Sequence, residues 1–285
     1  MNEWVQFIEG FHIGDFEDPE RTAQYVDFFS FEALLQHVPD SGAMAVEADP
    51  RRLNLVDPLN ETPFPPEWCD LARLHWILLH REVVNVVEFG SGFSTAIIAH
   101  ALELNETILS DWVNKHRRHS KPFTLTTVDE SSSWLEVAMS RVPGSLVARI
   151  YPVSSAVTVG QFGGRVCSFY DNVPELVADL VYIDGPSQYA STHQEGIFDT
   201  GKPHLMPMSG DLLPVEHFFE PGAIILLDGR TANARFLEAN FQRRWQHECL
   251  QMGEAHIFEL QEDSLGSINS NRLDRLTEKR KRFLI

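Results

Sequence analysis

Apolar positions along the chain change period twice. Over residues 1–40 they recur at helical spacing (Tyr25, Phe28, Phe29, Phe31, Leu34, Leu35, Val38), which predicts two or three short helices. Residues 39–66, rich in Pro, Asp and Asn, read as irregular chain. Pro66 suits the first position of a helix, which Leu71, Leu74, Ile77 and Leu78 continue. Beyond it, apolar runs at 83–89, 123–129, 146–152, 180–184 and 223–228 alternate with helical stretches. That rhythm predicts an α/β domain whose parallel sheet is covered on both faces. Two further runs, at 246–251 and 256–261, follow a helical stretch at 232–242 and lie close enough to pair as an antiparallel end of the sheet. Residues 157–170 alternate around Gly163-Gly164 and predict a hairpin, while 212–219 reads as an apolar helix.

The most informative stretch is 84–95, Val-Asn-Val-Val-Glu-Phe-Gly-Ser-Gly-Phe-Ser-Thr. An apolar strand ends in Glu88, two glycines follow at Gly90 and Gly92, and an amphipathic helix is predicted from Ser94 to Leu104. A strand, a glycine turn and a helix in that order make a nucleotide-type site, because glycines let a ligand approach bare backbone. An acid just before the turn is unfavourable beside a phosphate. A ligand carrying an ammonium group and ribose hydroxyls tolerates it, and S-adenosylmethionine fits that description.

Two other strand ends carry chemistry. Val128-Asp129-Glu130 closes the second predicted strand, and Val181-Tyr182-Ile183-Asp184-Gly185-Pro186 closes the fourth. With 88–95, these motifs make residues 66–262 resemble the class I S-adenosylmethionine-dependent methyltransferases, especially the small-molecule O-methyltransferases. The resemblance implies a Rossmann-like, seven-stranded, mostly parallel sheet with helices on both faces, plus an N-terminal helical extension. It divides the chain into an extension at 1–65, a methyltransferase-like domain at 66–262 and a basic tail or helix at 263–285. Cofactor contacts are implied for Glu88, Gly90, Ser91, Gly92, Ser94, Thr95, Asp129, Glu130, Ser155 and Asp184. In that family the acid ending the second strand binds the ribose hydroxyls, a bidentate role that Asp129 can fill. Glu88 is expected to orient the ammonium group, and Ser154 and Ser155 to lie near the adenine.

Methyl transfer is an in-line displacement that needs an aligned nucleophile and removal of its proton. Asp184, His193 and His204 are therefore the catalytic candidates, with Tyr189 as a pocket residue. Metal-dependent relatives hold a divalent ion here, and Asp184 with Asp228 would be its ligands, Mg being the natural ion. That option is the less favoured one. Gly229 stands where an amide ligand is expected, Arg230 follows as a competitor for Asp228, and Ser187 replaces a lysine.

Composition narrows the partners. The 285-residue chain has a net charge of −18, and residues 1–67 hold 14 acids against three arginines. Such a surface disfavours nucleic acid, which needs clustered Lys and Arg. A basic run from Arg272 to Arg282 reads as a solvated helix or as a tail docking on an acidic region. No apolar run approaches the roughly 20 residues of a membrane span, and the start shows no secretory pattern. Three widely spaced cysteines read as reduced thiols of a cytoplasmic protein. The sequons at Asn60 and Asn105 read as chance matches.

The 41 positions from Glu88 to Asp129 exceed a compact unit, which predicts a surface loop or short helix inserted around 105–121. The N-terminal helices are expected to cap the pocket or to form a homodimer surface. The partner expected is a small-molecule acceptor, a sugar or natural product. Two alternatives remain open at this stage. One is a nicotinamide-dependent oxidoreductase, although Thr95 replaces the third glycine and Glu88 would face a pyrophosphate. The other is a cofactor-binding scaffold without transfer chemistry.

Overall fold

The computed structural model describes residues 2–35, 65–117, 121–173, 178–187, 191–192, 208–250 and 255–278. The helices are α1 (Glu3–Glu9), α2 (Pro19–Phe28), α3 (Phe31–Leu34), α4 (Trp68–His80), α5 (Phe93–His116), α6 (Ser132–Ser140), α7 (Thr231–Asn240) and α8 (Ser267–Glu278). The strands are β1 (Asn85–Phe89), β2 (Thr124–Asp129), β3 (Ile150–Ser154), β4 (Val157–Phe162), β5 (Arg165–Tyr170), β6 (Leu180–Ile183), β7 (Ser191–Thr192), β8 (Ile224–Leu227), β9 (Trp245–Cys249) and β10 (His256–Leu260).

Seven strands form one sheet in the order β3-β2-β1-β6-β8-β10-β9. Neighbours from β3 to β8 pair in parallel, and β10 runs antiparallel to both β8 and β9. This is the α/β, Rossmann-like, mostly parallel sheet expected. The chain order turns back between β2-β1 and β6, which opens a crevice at the carboxyl ends of β1 and β6. The predicted hairpin is β4 and β5, turning at Gly163 and Gly164, whose φ values of 55° and 79° suit a two-residue primed turn.

Alternation along the central strands feeds two cores. Val86, Leu180, Leu226 and Ile257 face α4 and α5, whereas Val87, Val181, Leu227 and Phe258 face Ala234 and Leu237 of α7. The strands are buried on both faces, so they read as continuous apolar runs.

Three expectations change. Residues 105–116 of the 105–121 excess are the last part of α5, which runs 24 residues as one helix; Leu109 and Val113 pack with Val84 and Phe123 and hold it down. Asn105 is buried in α5 and donates to the Leu78 and Val83 carbonyls at 3.0 and 2.9 Å, so that sequon serves packing. The 212–219 segment is turns and a 3-10 helix at Glu216–Phe218 rather than an apolar α-helix. Its buried Glu216 carboxylate accepts the Gln242 and Arg243 amides and the Trp245 indole.

The N-terminal helices pack against α4. Trp76 Nε1 donates to the Ile8 carbonyl at 3.1 Å, and Tyr25 meets His75 at 2.9 Å inside an aromatic cluster. Among the described residues none of α1–α3 lines the large cavity; they pack on α4, beside whose start the cavity lies. Of the basic run, Arg272 is buried against Asp179 at 2.9 Å and Arg275 pairs with Glu82, which ties α8 to the domain. Residues 279–285 lie outside the described residues.

Candidate active site

The loops after β1, β2, β6 and β8 and the start of α4 enclose a cavity of about 800 Å³. Pockets for small ligands and cofactors span roughly 300–1,000 Å³, so a nucleoside cofactor with an acceptor is of fitting size. The three sequence motifs meet here. Gly90, Ser91, Gly92, Ser94, Asp129, Glu130 and Asp184 all line it.

The two glycines do different work. Gly90 has φ +89°, and a Cβ on it would sit 2.6 Å from the Gly185 amide nitrogen, so β1 and β6 can only turn past each other with glycine there. Gly92 is extended and a Cβ would meet nothing closer than Ser94 Oγ at 4.0 Å. No packing demands glycine at that position, and its bare backbone faces the cavity.

Asp129 at the tip of β2 organises the turn. Its Oδ2 accepts from the Ser91 amide and the Ser91 hydroxyl, each at 2.7 Å, and its Oδ1 accepts from the Ser131 amide at 2.9 Å. Glu130 accepts from the Ser187 amide at 3.0 Å and from the Tyr170 hydroxyl at 3.2 Å, which joins β2 to the loop after β6. Burial raises the Glu130 pKa, and neighbouring Asp129 adds to the rise. Ser131 caps α6 by accepting the Trp134 amide, and Trp134 Nε1 donates to the Ser91 carbonyl at 2.7 Å.

Three of the residues expected to touch the cofactor stand behind the cavity wall instead. Glu88 is fully buried and does not line the cavity: Ser94 Oγ and Thr95 Oγ1 donate to its two oxygens at 2.6 and 2.7 Å. Burial pushes its pKa up to about 7 against the lowering effect of the hydroxyls of Ser94, Thr127 and Thr95. Glu88 therefore anchors the first turn of α5 rather than reaching an ammonium group directly. Thr95 is likewise enclosed, holding Glu88 and the Gly92 amide. Ser155 is buried away from the cavity, with its amide on the Asp129 carbonyl and its hydroxyl accepting the Asn172 amide.

At the opposite wall, Asp184 and Asp228 stand on the tips of β6 and β8, as their motif predicted. Asp184 is exposed on the cavity side; the protein around it raises its pKa, partly offset by Arg230 and reinforced by Asp228. Burial raises Asp228 to about 6, with Asp70 adding to it. Tyr182, 4% exposed, donates its hydroxyl to Asp228 Oδ2 at 3.0 Å. Arg230 turns its guanidinium to the Asp184 and Pro186 carbonyl oxygens, the latter at 2.9 Å, rather than to the Asp228 carboxylate. That is a correction to its expected competition for Asp228.

Asp184 and Asp228 bring two carboxylates to one wall, but Gly229 offers no side chain and Asp228 already holds a phenol. Among the described residues no three His, Cys, Asp or Glu side chains are grouped to hold a metal ion. His193, His204 and Tyr189 lie outside the described residues.

Sequence reasoning missed Glu67, Asp70, Phe93, Trp134 and Tyr182 as lining residues. Trp134 and Tyr182 sat in or beside quoted motifs and could have been found. Glu67 and Asp70 arrive from α4 only through helix docking.

No family model matches the chain, and no curated protein matches it. Solved structures resemble it at a distance. An O-methyltransferase from Bacillus cereus in complex with SAH is 14% identical, with 85% of this chain and 100% of that one covered and a TM-score of 0.40. The O-methyltransferase TomG from Streptomyces achromogenes, involved in tomaymycin synthesis and in complex with SAM, is 12% identical over 70% of this chain and 82% of that one, with a TM-score of 0.38. The SAH-bound Podospora anserina methyltransferase PaMTH1 is 10% identical over 86% and 89%, with a TM-score of 0.41. Likenesses this distant leave the cavity's own residues to carry its chemistry.

Proposed function

We propose that the chain is a methyltransferase that uses S-adenosylmethionine to methylate a hydroxyl of a small molecule. One observation carries the reading: the cavity over the β1 and β2 tips is lined by carboxylates and bare glycine backbone, without a cationic cradle for phosphate among the described residues. Arg230 is the one arginine or lysine among the described lining residues, and backbone carbonyls occupy it. Asp129 at the β2 tip could take the ribose of either cofactor, and Thr95 in place of a third glycine disfavours a nicotinamide dinucleotide. A sulfonium nucleoside brings two cationic centres and a ribose diol to the same groups.

In this reading Gly90, Ser91 and Gly92 flank the methionine part, and Asp129 with Glu130 meets the ribose. Asp184 faces the sulfonium beside the reacting methyl. S-adenosylmethionine, when bound, supplies an electrophilic methyl carbon; the chain's residues align the acceptor against it and exclude water. No described helix is long and apolar enough to cross a membrane. Cys69, Cys167 and Cys249 are free thiols, which supports a reducing compartment, the cytoplasm.

Calorimetric titration with S-adenosylmethionine, S-adenosylhomocysteine and NAD tests the reading. Saturable binding of the first two and none of NAD is expected. The reverse order would refute it.

A further inference from the structure

Arg141 follows the last turn of α6 and is 5% exposed. Its Cζ lies 4.5 Å from the Phe93 ring centroid and 5.7 Å from that of Trp134, and both side chains line the cavity. Among the described residues its buried Nη1 has no hydrogen-bond partner. Burial lowers the Arg141 pKa, and no carboxylate among the described residues raises it back. The guanidinium still keeps its charge at neutral pH. An uncompensated cation thus stands behind the aromatic wall, against two ring faces. Such a charge is costly to bury, and for the same reason it is poorly screened, so its field reaches across the wall into the cavity.

The glycine turn beside that wall offers an anion little. The Gly90 amide donates to the Val128 carbonyl at 2.8 Å, the Ser91 amide to Asp129 Oδ2 at 2.7 Å and the Gly92 amide to Thr95 Oγ1 at 3.1 Å. All three amides are therefore engaged within the protein, whereas a phosphate-binding turn aims its amides at the ligand. S-adenosylmethionine carries one anionic group, the carboxylate of its methionine part, and that part lies along this turn in the reading above. Resting on the methyltransferase reading, we propose that Arg141 is the specificity-determining cation for that carboxylate. It acts across the Phe93 and Trp134 wall and fixes which way the methionine part lies.

The probe pair is S-adenosylhomocysteine and S-adenosyl-3-thiopropylamine, which is the same molecule without its carboxylate. Each is titrated calorimetrically into the full chain. S-adenosylhomocysteine should bind at least about tenfold tighter, the effect of one poorly screened charge pair. In Arg141→Met, which keeps the volume and removes the charge, that ratio should fall at least about threefold. Arg141→Lys, which keeps the charge, should hold most of it. A merely structural Arg141 would change both affinities alike and leave their ratio untouched.

A wild-type ratio below about tenfold would overturn the inference, and that comparison needs no variant to fold. A ratio unchanged in Arg141→Met, or lowered as far in Arg141→Lys, would overturn it too. Failure of S-adenosylhomocysteine itself to bind would instead strike the methyltransferase reading, so the two failures are distinguishable.

Discussion

Ser91 gives both its amide and its hydroxyl to one oxygen of Asp129, at 2.7 Å each, and so locks the glycine turn after β1 to the tip of β2. The carboxylate expected to meet a ribose also shapes the loop that would meet the rest of the cofactor. Its two roles are separable by substitution, because the Ser91 amide remains when the hydroxyl is removed.

Asp129→Ala should weaken S-adenosylmethionine by at least about tenfold, whereas Ser91→Ala should cost only a few-fold, as one neutral hydrogen bond does. Calorimetry on both variants checks this. Equal losses would mean that Asp129 acts only by holding the turn.

Gly90→Ala should lower the melting temperature by several degrees, because φ +89° and the 2.6 Å approach to Gly185 leave no room for a methyl group. Gly92→Ala should keep the melting temperature and lose cofactor affinity. A thermal shift assay with a binding titration separates the two.

Glu88 sets a pH dependence whose sign runs against the usual carboxylate. Its folded pKa is raised from 4.5 to about 7, so the native state binds more protons than the unfolded chain between those values. Stability should therefore fall as pH rises from about 4.5 through about 7, by up to about 3 kcal/mol from this group. Glu88→Gln should flatten that slope and raise the melting temperature at pH near 8 relative to the parent. Denaturant curves at several pH values would show whether it does.

Arg81 and Glu259 form an ion pair at 3.0 Å with both side chains fully buried, joining the end of α4 to β10. Arg81→Ala leaves a buried carboxylate and removes the shorter, 3.0 Å, of the two arginine hydrogen bonds to the Gly222 carbonyl, the other coming from Arg272. A loss of about 3–5 kcal/mol in a urea melt is expected. A change below about 1 kcal/mol would place that pair among the weakly contributing ones.

Asp184→Asn should reduce turnover more than S-adenosylmethionine affinity if its carboxylate acts at the methyl. Initial rates and binding on the same preparation decide it, and equal losses would move Asp184 to a binding role.

How much the sequence told depends on whether a feature is local. The apolar runs ending in Glu88, Asp129, Asp184 and Asp228 placed β1, β2, β6 and β8, because a strand buried on both faces must be apolar throughout and the polar residue after it marks its tip. The same reasoning put Gly90, Asp129 and Asp184 on one rim. It misread 105–121, because α5 carries Asn105 and charged residues on its length and hides their partners, Leu78 and Val83, twenty or more positions away.

Composition and period alone determined an α/β chain with a nucleoside-type turn and acids at the right strand ends. Only the tertiary structure decided which of those acids face the cavity. Glu88 and Asp184 look alike in sequence, each an acid at the carboxyl end of a β-strand before a glycine. Glu88 is sealed under the Ser94 and Thr95 hydroxyls, while Asp184 opens onto the cavity. The difference comes from what meets each strand tip among the described residues, the first turn of α5 over β1 and the cavity over β6, and such docking is set by contacts between segments far apart in the chain.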